Sequence, residues 1–260
     1  MPTLPFLSLA LLQAAAAAAV PPPVEQDRLK LCMEQARLDS AQAILTASGW
    51  EAEAAGPERS LPRQCLGLAY TSLMRWDAAE TAFLSARDAR LDSEQRGRAR
   101  LAAMAGNAAL AGQKPAAALH DFELAGADAA AAGDSALAGE LAADRARALV
   151  ALGRLPDAAT ALEQARRDAA QLPSVWLLSA TLARRTDDLE NAQHFIETAS
   201  ALAPADPSIG LEAGLIAVLA GRDDAARASW QSVLSIAPDA PEAKIARDYL
   251  AQLEAPPQPR

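Results

Sequence analysis

Residues 189–207 read LENAQHFIETASALAPADP and residues 223–241 read DDAARASWQSVLSIAPDAP, and the two stretches share one pattern. In each, a bulky apolar residue follows an alanine by four positions, and a proline follows eight positions after that. The matched residues lie 34 positions apart, with Ala192, Ile196 and Pro204 answered by Ala226, Trp230 and Pro238. Positions i and i+4 share one face of an α-helix, so the pattern indicates a repeated helical unit.

The same helix recurs towards the N-terminus. Its alanine occurs six times, at intervals of 38, 39, 40, 34 and 34 residues: Ala41, Ala79, Ala118, Ala158, Ala192 and Ala226. The apolar residues four positions later are Leu45, Phe83, Phe122, Leu162, Ile196 and Trp230. Three glycines, Gly67, Gly106 and Gly214, lie twelve residues before their alanines, on the preceding helix, where a missing Cβ lets two helices approach closely. We expect the longer intervals to lengthen helices or the loops between units.

The composition favours closely packed helices. Apolar residues make up 51% of the 260 residues but aromatic residues only 4%, and alanine and leucine dominate the apolar share. This is typical of helices packed through small side chains rather than of a sheet rich in β-branched residues. The net charge of −9 makes the backbone of a nucleic acid an unlikely partner, so we expect no nucleic-acid binding.

These residues resemble the tetratricopeptide repeat (TPR) family, whose helix-turn-helix unit has the same length and the same small, aromatic and proline positions. The last two units match best and residues 25–50 match least. The resemblance implies an all-α, right-handed superhelical solenoid of about six repeats with a C-terminal capping helix. It assigns packing between helices to Gly67, Ala79, Phe83, Gly106, Ala118, Ala158, Trp176, Ala192, Gly214, Ala226 and Trp230.

The sequence predicts five segments. They are a signal peptide or anchor over 1–20, a proline-rich linker over 21–24, the repeat array over 25–238, the capping helix over 239–254 and a disordered tail over 255–260. In the capping helix, Ile245, Tyr249 and Leu253 follow at i, i+4 and i+8 with charged residues between them. That pattern is typical of a helix that shields the last repeat from water.

The first twenty residues, MPTLPFLSLALLQAAAAAAV, resemble a signal peptide with Ala-x-Ala cleavage sites before the prolines. A basic start is missing, so an uncleaved membrane anchor and a disordered leader on a cytosolic protein are the alternatives. We therefore predict a periplasmic protein of a bacterium, with an inner-membrane-anchored or a cytoplasmic protein as alternatives. Membrane contact is expected only if the segment stays uncleaved.

The two cysteines, Cys32 and Cys65, fall on the predicted first helices of consecutive units. In an exported protein this placement predicts one disulfide that joins the weakest repeat to the next. A loop of this length would stabilise the fold by about 3–4 kcal/mol. Two buried free thiols are the alternative.

Motifs for catalysis or metal binding are absent from the sequence. There is no Gly-x-Ser-x-Gly, no phosphate-binding glycine-rich loop and no His-Glu-x-x-His. His120 and His194 lie among polar residues without ligands at metal-binding spacing, and the Asp187/Asp188 and Asp223/Asp224 pairs fall where helix caps are expected. We expect no enzymatic activity, no cofactor and no metal.

The resemblance places partner binding on the concave surface that the first helices line. Its polar positions here are Gln64, Thr71, Arg100, Asn107, Arg147, Thr181, Arg184 and Arg185. Its apolar positions are Leu68, Leu110, Val150, Leu211, Leu215 and Val218. The surface is expected to be basic in its middle and apolar towards the C-terminus, and the arginines could bind a peptide carboxylate. The alternative is that the arginines are solvated or paired with acids on neighbouring helices.

Two function classes stay open. One is a non-enzymatic scaffold in the cell envelope that binds a peptide or helix of another protein in its groove. The other is a periplasmic accessory subunit that positions an enzyme of envelope or polysaccharide assembly.

Overall fold

A computed structural model describes residues 23–254, and all regular structure in that range is helical. The helices are α1 (Pro23–Leu38), α2 (Ser40–Glu53), α3 (Ser60–Ser72), α4 (Trp76–Ala89), α5 (Gln95–Ala111), α6 (Pro115–Ala131), α7 (Ser135–Ala151), α8 (Leu155–Asp168), α9 (Pro173–Arg185), α10 (Leu189–Leu202), α11 (Pro207–Leu219), α12 (Asp223–Ile236) and α13 (Pro241–Glu254). A short 3-10 turn, Gly56–Arg59, precedes α3. The leader over 1–20 and the tail over 255–260 lie outside the described residues.

The helices form six pairs in chain order, and α13 follows the last pair. Each first helix packs on its own second helix, and each second helix packs on the first helix of the next pair. Helix α1 begins at Pro23, inside the stretch 21–24 that was expected to be a linker. The reason is that proline suits the first turn of a helix, whose N–H groups have no intrahelical acceptor.

Aspartates at the helix starts satisfy backbone donors. The carboxylates of Asp39, Asp134, Asp188 and Asp206 accept N–H groups in the first turns of α2, α7, α10 and α11. Asp223 and Asp224 lie within the first turn of α12, where a negative charge favours the helix dipole.

From the second pair onwards, the larger the core residue on a second helix, the smaller the residue that faces it on the first helix. Phe83, Phe122 and Trp230 lie against Gly67, Gly106 and Gly214, and a Cβ added to any of these glycines would collide with the ring. In the fourth and fifth pairs, where Leu162 and Ile196 replace the ring, alanines occupy the matched positions: Ala146 and Ala180. A ring therefore requires glycine across the pair, while a branched aliphatic side chain leaves room for alanine.

The first pair follows a different register from the one predicted. Ala41 and Leu45 are exposed, Leu45 to 68%, whereas Ala43 and Ala47 are fully buried. Helix α2 carries several alanines at near-equivalent positions, and α1 has no glycine that could face a ring on α2 and fix its rotation. The prediction that Ala41 marks the packed face is therefore wrong by two residues.

The extra residues in the middle of the array lengthen helices, as expected. Helices α5, α6 and α7 each have 17 residues, whereas α9, α10, α11 and α12 have 13 or 14. The longer helices keep the alanine and apolar pattern in phase with the core, because Ala118, Phe122 and Ala158 are all buried.

Helix α13 covers the core of the last pair, and of the three residues expected to face it, Tyr249 and Leu253 do so. Ala243 and Ala246 are buried there, and the Tyr249 ring lies 5.1 Å from the Trp230 ring between centroids. Ile245 is 40% exposed, so its predicted inward position is wrong. The helix lies close to α12, and small residues at its contact face permit that approach.

Candidate partner-binding surface

The outward sides of α5, α7, α9 and α11 form one continuous surface, because these first helices neighbour one another along the stack. We call it the first-helix surface. Hydrogen bonds between side chains on different first helices show which residues meet there. Two such connections involve predicted binding residues.

Arg147 connects the α5 and α7 parts of this surface. Its Nη1 donates to Asn107 Oδ1 at 3.1 Å and lies 3.2 Å from Asp144 Oδ1. The Arg147 side chain is 46% exposed, so its remaining donors face solvent. Burial raises the pKa of Asp144, and the nearby Arg147 charge partly opposes that rise. The sequence prediction named Asn107 and Arg147 because both occupy groove-facing repeat positions. It missed Asp144, which does not occupy one of those positions.

The Arg184 guanidinium is paired with a carboxylate and is not free to bind a partner. Its Nε and Nη2 donate to the two carboxylate oxygens of Glu212 on α11, at 2.7 and 3.2 Å. Glu212 is only 8% exposed, so this bidentate pair is largely withdrawn from water. The alternative reading, that arginines pair with acids on neighbouring helices, therefore holds at Arg184.

The other predicted polar residues differ in place and exposure. Arg100 on α5 and Arg185 at the end of α9 are exposed, and Thr181 on α9 is half-buried. Gln64, also half-buried, lies on α3, outside this surface. The Leu137 N–H hydrogen bond and the ion pair with Arg96 lower the pKa of Asp134, and the charge of Arg100 adds a smaller effect. With Asp144 and Glu212 present, the surface is mixed in charge and not basic in its middle.

A cleft of about 290 Å³ opens between α7 and α9 on this surface. Glu140, Asp144 and Arg147 line one side and the leucines Leu177 and Leu178 line the other. At the C-terminal end, the apolar positions Leu211, Leu215 and Val218 are half-buried and pack on the cluster that α13 also covers. The accessible apolar surface there is therefore smaller than the sequence suggested.

The disulfide prediction is confirmed. Cys32 on α1 and Cys65 on α3 are bonded, with their Cα atoms 6.0 Å apart, and both side chains are buried. The bond joins the first helices of the first two pairs.

Two tryptophans and the two histidines could have indicated a ligand site. Both indole N–H groups donate to backbone carbonyl groups instead. Trp230 Nε1 donates to the Leu211 carbonyl at 3.2 Å, and Trp176 Nε1 donates to the Ala170 carbonyl at 2.7 Å. His120 and His194 are exposed. Across residues 23–254, no three His, Cys, Asp or Glu residues are placed to hold a metal ion.

Among the described helices, none is both long and apolar enough to cross a bilayer. The stretch for which an anchor was considered, residues 1–20, lies outside that range. Its role as a signal peptide stays a prediction.

The stacked helix pairs and the capping helix define an all-α repeat solenoid. The sequence matches no protein-family model and no curated protein. Many solved structures have similar folds, among them the following three. PilW, a widely conserved type IV pilus biogenesis factor, has a TM-score of 0.67 and 18% identity, over 87% of this chain and 99% of that one. The Pseudomonas aeruginosa protein pilF has a TM-score of 0.63 and 13% sequence identity, over 88% of this chain and 99% of that one.

The third is YrrB, a TPR protein with an unusual peptide-binding site, which gives a TM-score of 0.50 and 18% identity, over 78% of this chain and 97% of that one. The protein therefore has the tetratricopeptide repeat fold, and the predicted TPR-type solenoid is confirmed. Sequence identities of 13% to 18% relate the folds of these proteins and do not extend to their functions.

Proposed function

We propose that this protein is a non-enzymatic interaction scaffold that binds a peptide or helix of another protein on its first-helix surface. The observation that carries the proposal is the Arg147 side chain, which is held in place by Asn107 and Asp144 yet keeps donors exposed beside the α7–α9 cleft. A pre-oriented guanidinium next to apolar leucines suits a peptide that presents both a carbonyl or carboxylate and an apolar side chain.

The polar contacts on this surface would come from Arg100, Asn107, Arg147, Thr181 and Arg185, and Gln64 on α3 would add one beyond its N-terminal edge. Arg184 is better suited to fixing α9 against α11, because its guanidinium is already bonded to Glu212. The likeness to YrrB, a TPR protein with an unusual peptide-binding site, agrees with a peptide partner.

The cell envelope is the proposed compartment. Structural disulfides persist in oxidising compartments such as the periplasm and are rare in the cytosol, and Cys32–Cys65 is a buried disulfide. The export-like residues 1–20 and the fold shared with a pilus biogenesis factor point in the same direction. An accessory subunit that positions an enzyme of envelope assembly would use the same surface, with the enzyme as its partner.

Site-specific photocrosslinking tests the surface. A photoreactive amino acid replaces the exposed Ser174, which lines the cleft on α9, and, as the matched control, the exposed Thr160 on α8. In intact cells we expect one discrete crosslinked product from position 174 and none from position 160. Arg147→Ala should remove the product at position 174 without changing the melting temperature. Equal products from both positions, or crosslinking that survives Arg147→Ala, would show that partners bind elsewhere.

A further inference from the structure

A second cleft lies at the N-terminal end of the array, apart from the first-helix surface. It has a volume of about 550 Å³, within the range of small-ligand sites. Its walls come from α1, α2, the 3-10 turn, the start of α3 and the loop of residues 90–94. Exposed Pro57 and Leu91 give it an apolar rim.

Two hydrogen-bonding atoms in this cleft are buried without a partner. They are the hydroxyl oxygen of Ser60, a residue that is 3% exposed, and Arg90 Nε. Arg90 is fixed in place, because its Nη1 donates to Glu94 Oε1 at 3.2 Å and Gly97 leaves room for it against α5. Buried polar atoms are normally paired, and both of these groups can donate. These two donors therefore lack an acceptor, which the side chains around the cleft do not supply.

The charges around the cleft show what kind of acceptor fits. Four carboxylates line it, from Glu25, Glu53, Glu58 and Glu94, against two guanidinium groups. Arg28 is 3.0 Å from Glu53 and 3.8 Å from Glu25, so its charge is already neutralised. An anionic ligand would be repelled. A neutral carbonyl group with a positive charge nearby would be favoured.

Proline-rich segments offer this combination, because each proline keeps its carbonyl acceptor but has no N–H that needs a partner. Residues 255–260 read APPQPR, with three prolines, one arginine and no acidic side chain. They follow α13, at the opposite end of the stack from α1 and α2, so a second copy would have to supply them. We propose that the N-terminal cleft of one copy binds residues 255–260 of another.

In this arrangement the segment's carbonyl groups accept hydrogen bonds from Ser60 and Arg90. Its prolines pack on Pro57 and Leu91, and Arg260 lies near Glu58. Such a head-to-tail contact joins two different surfaces, so it adds copies in one direction rather than closing a symmetric dimer.

The first test measures binding of a fluorescent APPQPR peptide, amidated at its C-terminus, to the full-length chain by anisotropy. We expect saturable binding that Ser60→Ala weakens at least fivefold. The control Ser72→Ala, on the same helix but with its hydroxyl bonded to the Leu68 carbonyl, should bind as the wild type does. A peptide with glutamate in place of the arginine should also bind at least fivefold more weakly. Lack of binding, or equal binding by the Ser60→Ala variant, would overturn the proposal.

The second test measures self-association by sedimentation velocity over a range of concentrations. We expect the wild type to form larger species as its concentration rises. Ser60→Ala and a triple variant, Pro256→Ser, Pro257→Ser and Pro259→Ser, should stay smaller. If the peptide binds but the wild-type chain stays monomeric throughout, the second copy is ruled out as the occupant and the cleft takes such a segment from another protein.

Discussion

The first and last helix pairs of this array are stabilised in different ways. The first pair, α1 and α2, has a core of small residues, Ala36, Ala43 and Ala47, with the buried Trp50 at its end and one disulfide. The last pair, α11 and α12, has the Trp230 ring fitted against Gly214 and a further helix packed over it. Each end of a repeat array lacks one neighbour, so it needs stabilisation that inner repeats obtain from both sides. Here a covalent bond serves at one end and interlocking side chains with a cap at the other.

The outer face of α1 shows why the first pair needs the disulfide. Val24, Leu31 and Leu38 are 70%, 63% and 90% exposed, so these side chains contribute little buried apolar area. At the other end, α13 covers the comparable face.

The largest expected effect is loss of the disulfide. Replacing Cys32 and Cys65 with alanine should lower the free energy of unfolding by about 3–4 kcal/mol in the chain-entropy model. Hydrogen exchange should show the loss of protection in α1 to α3 and little change in α11 to α13. Reduction of the wild type under the same conditions is the control and should give the same pattern. Uniform loss of protection along the chain would contradict a local role.

Gly214→Ala tests the packing at the opposite end. It should lower the free energy of unfolding by about 3 kcal/mol. The new Cβ would collide with the Trp230 ring, and neither the ring nor α11 has room to move without losing contacts. Gly49→Ala on α2 is the matched control, because no atom lies within 4 Å of the added Cβ. It should stabilise the fold by about 0.5–1 kcal/mol through better helix propensity. Chemical denaturation measures both, and similar values for the two variants would show that the ring does not fix this pair.

Arg184→Ala should lower the free energy of unfolding by about 2 kcal/mol, since it leaves the Glu212 carboxylate buried without its partner. The control is Arg147→Ala, whose partners are more exposed and whose loss should stay within about 0.5 kcal/mol. Thermal melting of both variants and of Arg184→Ala/Glu212→Gln would check this. The double variant should regain part of the stability, because an amide is less costly to bury than a carboxylate.

Asp121 lies between the two end regions and should give the smallest effect. It is 2% exposed with Oδ2 lacking a partner, and burial, reinforced by the charge of Glu80, raises its pKa to about 6. A raised pKa means that the folded state binds the proton more tightly, so this group stabilises the fold below pH 3.8 and that stabilisation is lost as the pH rises through 6.

Asp121→Asn should therefore be more stable than the wild type at pH 7 by about 1–2 kcal/mol. The two proteins should converge near pH 4. Melting temperatures between pH 4 and pH 8 would measure this, and a constant difference over that range would mean that Asp121 does not titrate there.

Much of the fold could be predicted because the alanine, ring and proline positions recur along the chain. The prediction failed at Ala41 and Leu45, since α1 has no glycine opposite a ring to fix the rotation of α2, and the buried ring of that helix, Trp50, lies outside the repeat position. It assigned the concave positions by repeat number alone, and so it could not foresee that Glu212, 28 residues after Arg184, would occupy that guanidinium. The N-terminal cleft was missed entirely, because Ser60 and Arg90 come from different elements and neither fits a repeat position.

The disulfide also has a mechanical consequence. If a partner pulled on the array from either end, the 33-residue interval between Cys32 and Cys65 could not extend while the bond stayed oxidised. Full extension of that interval would otherwise add about 110 Å of chain. The segment from Cys32 to Cys65 would therefore transmit tension through the bond between α1 and α3 without lengthening, while the helices after Cys65 unravelled.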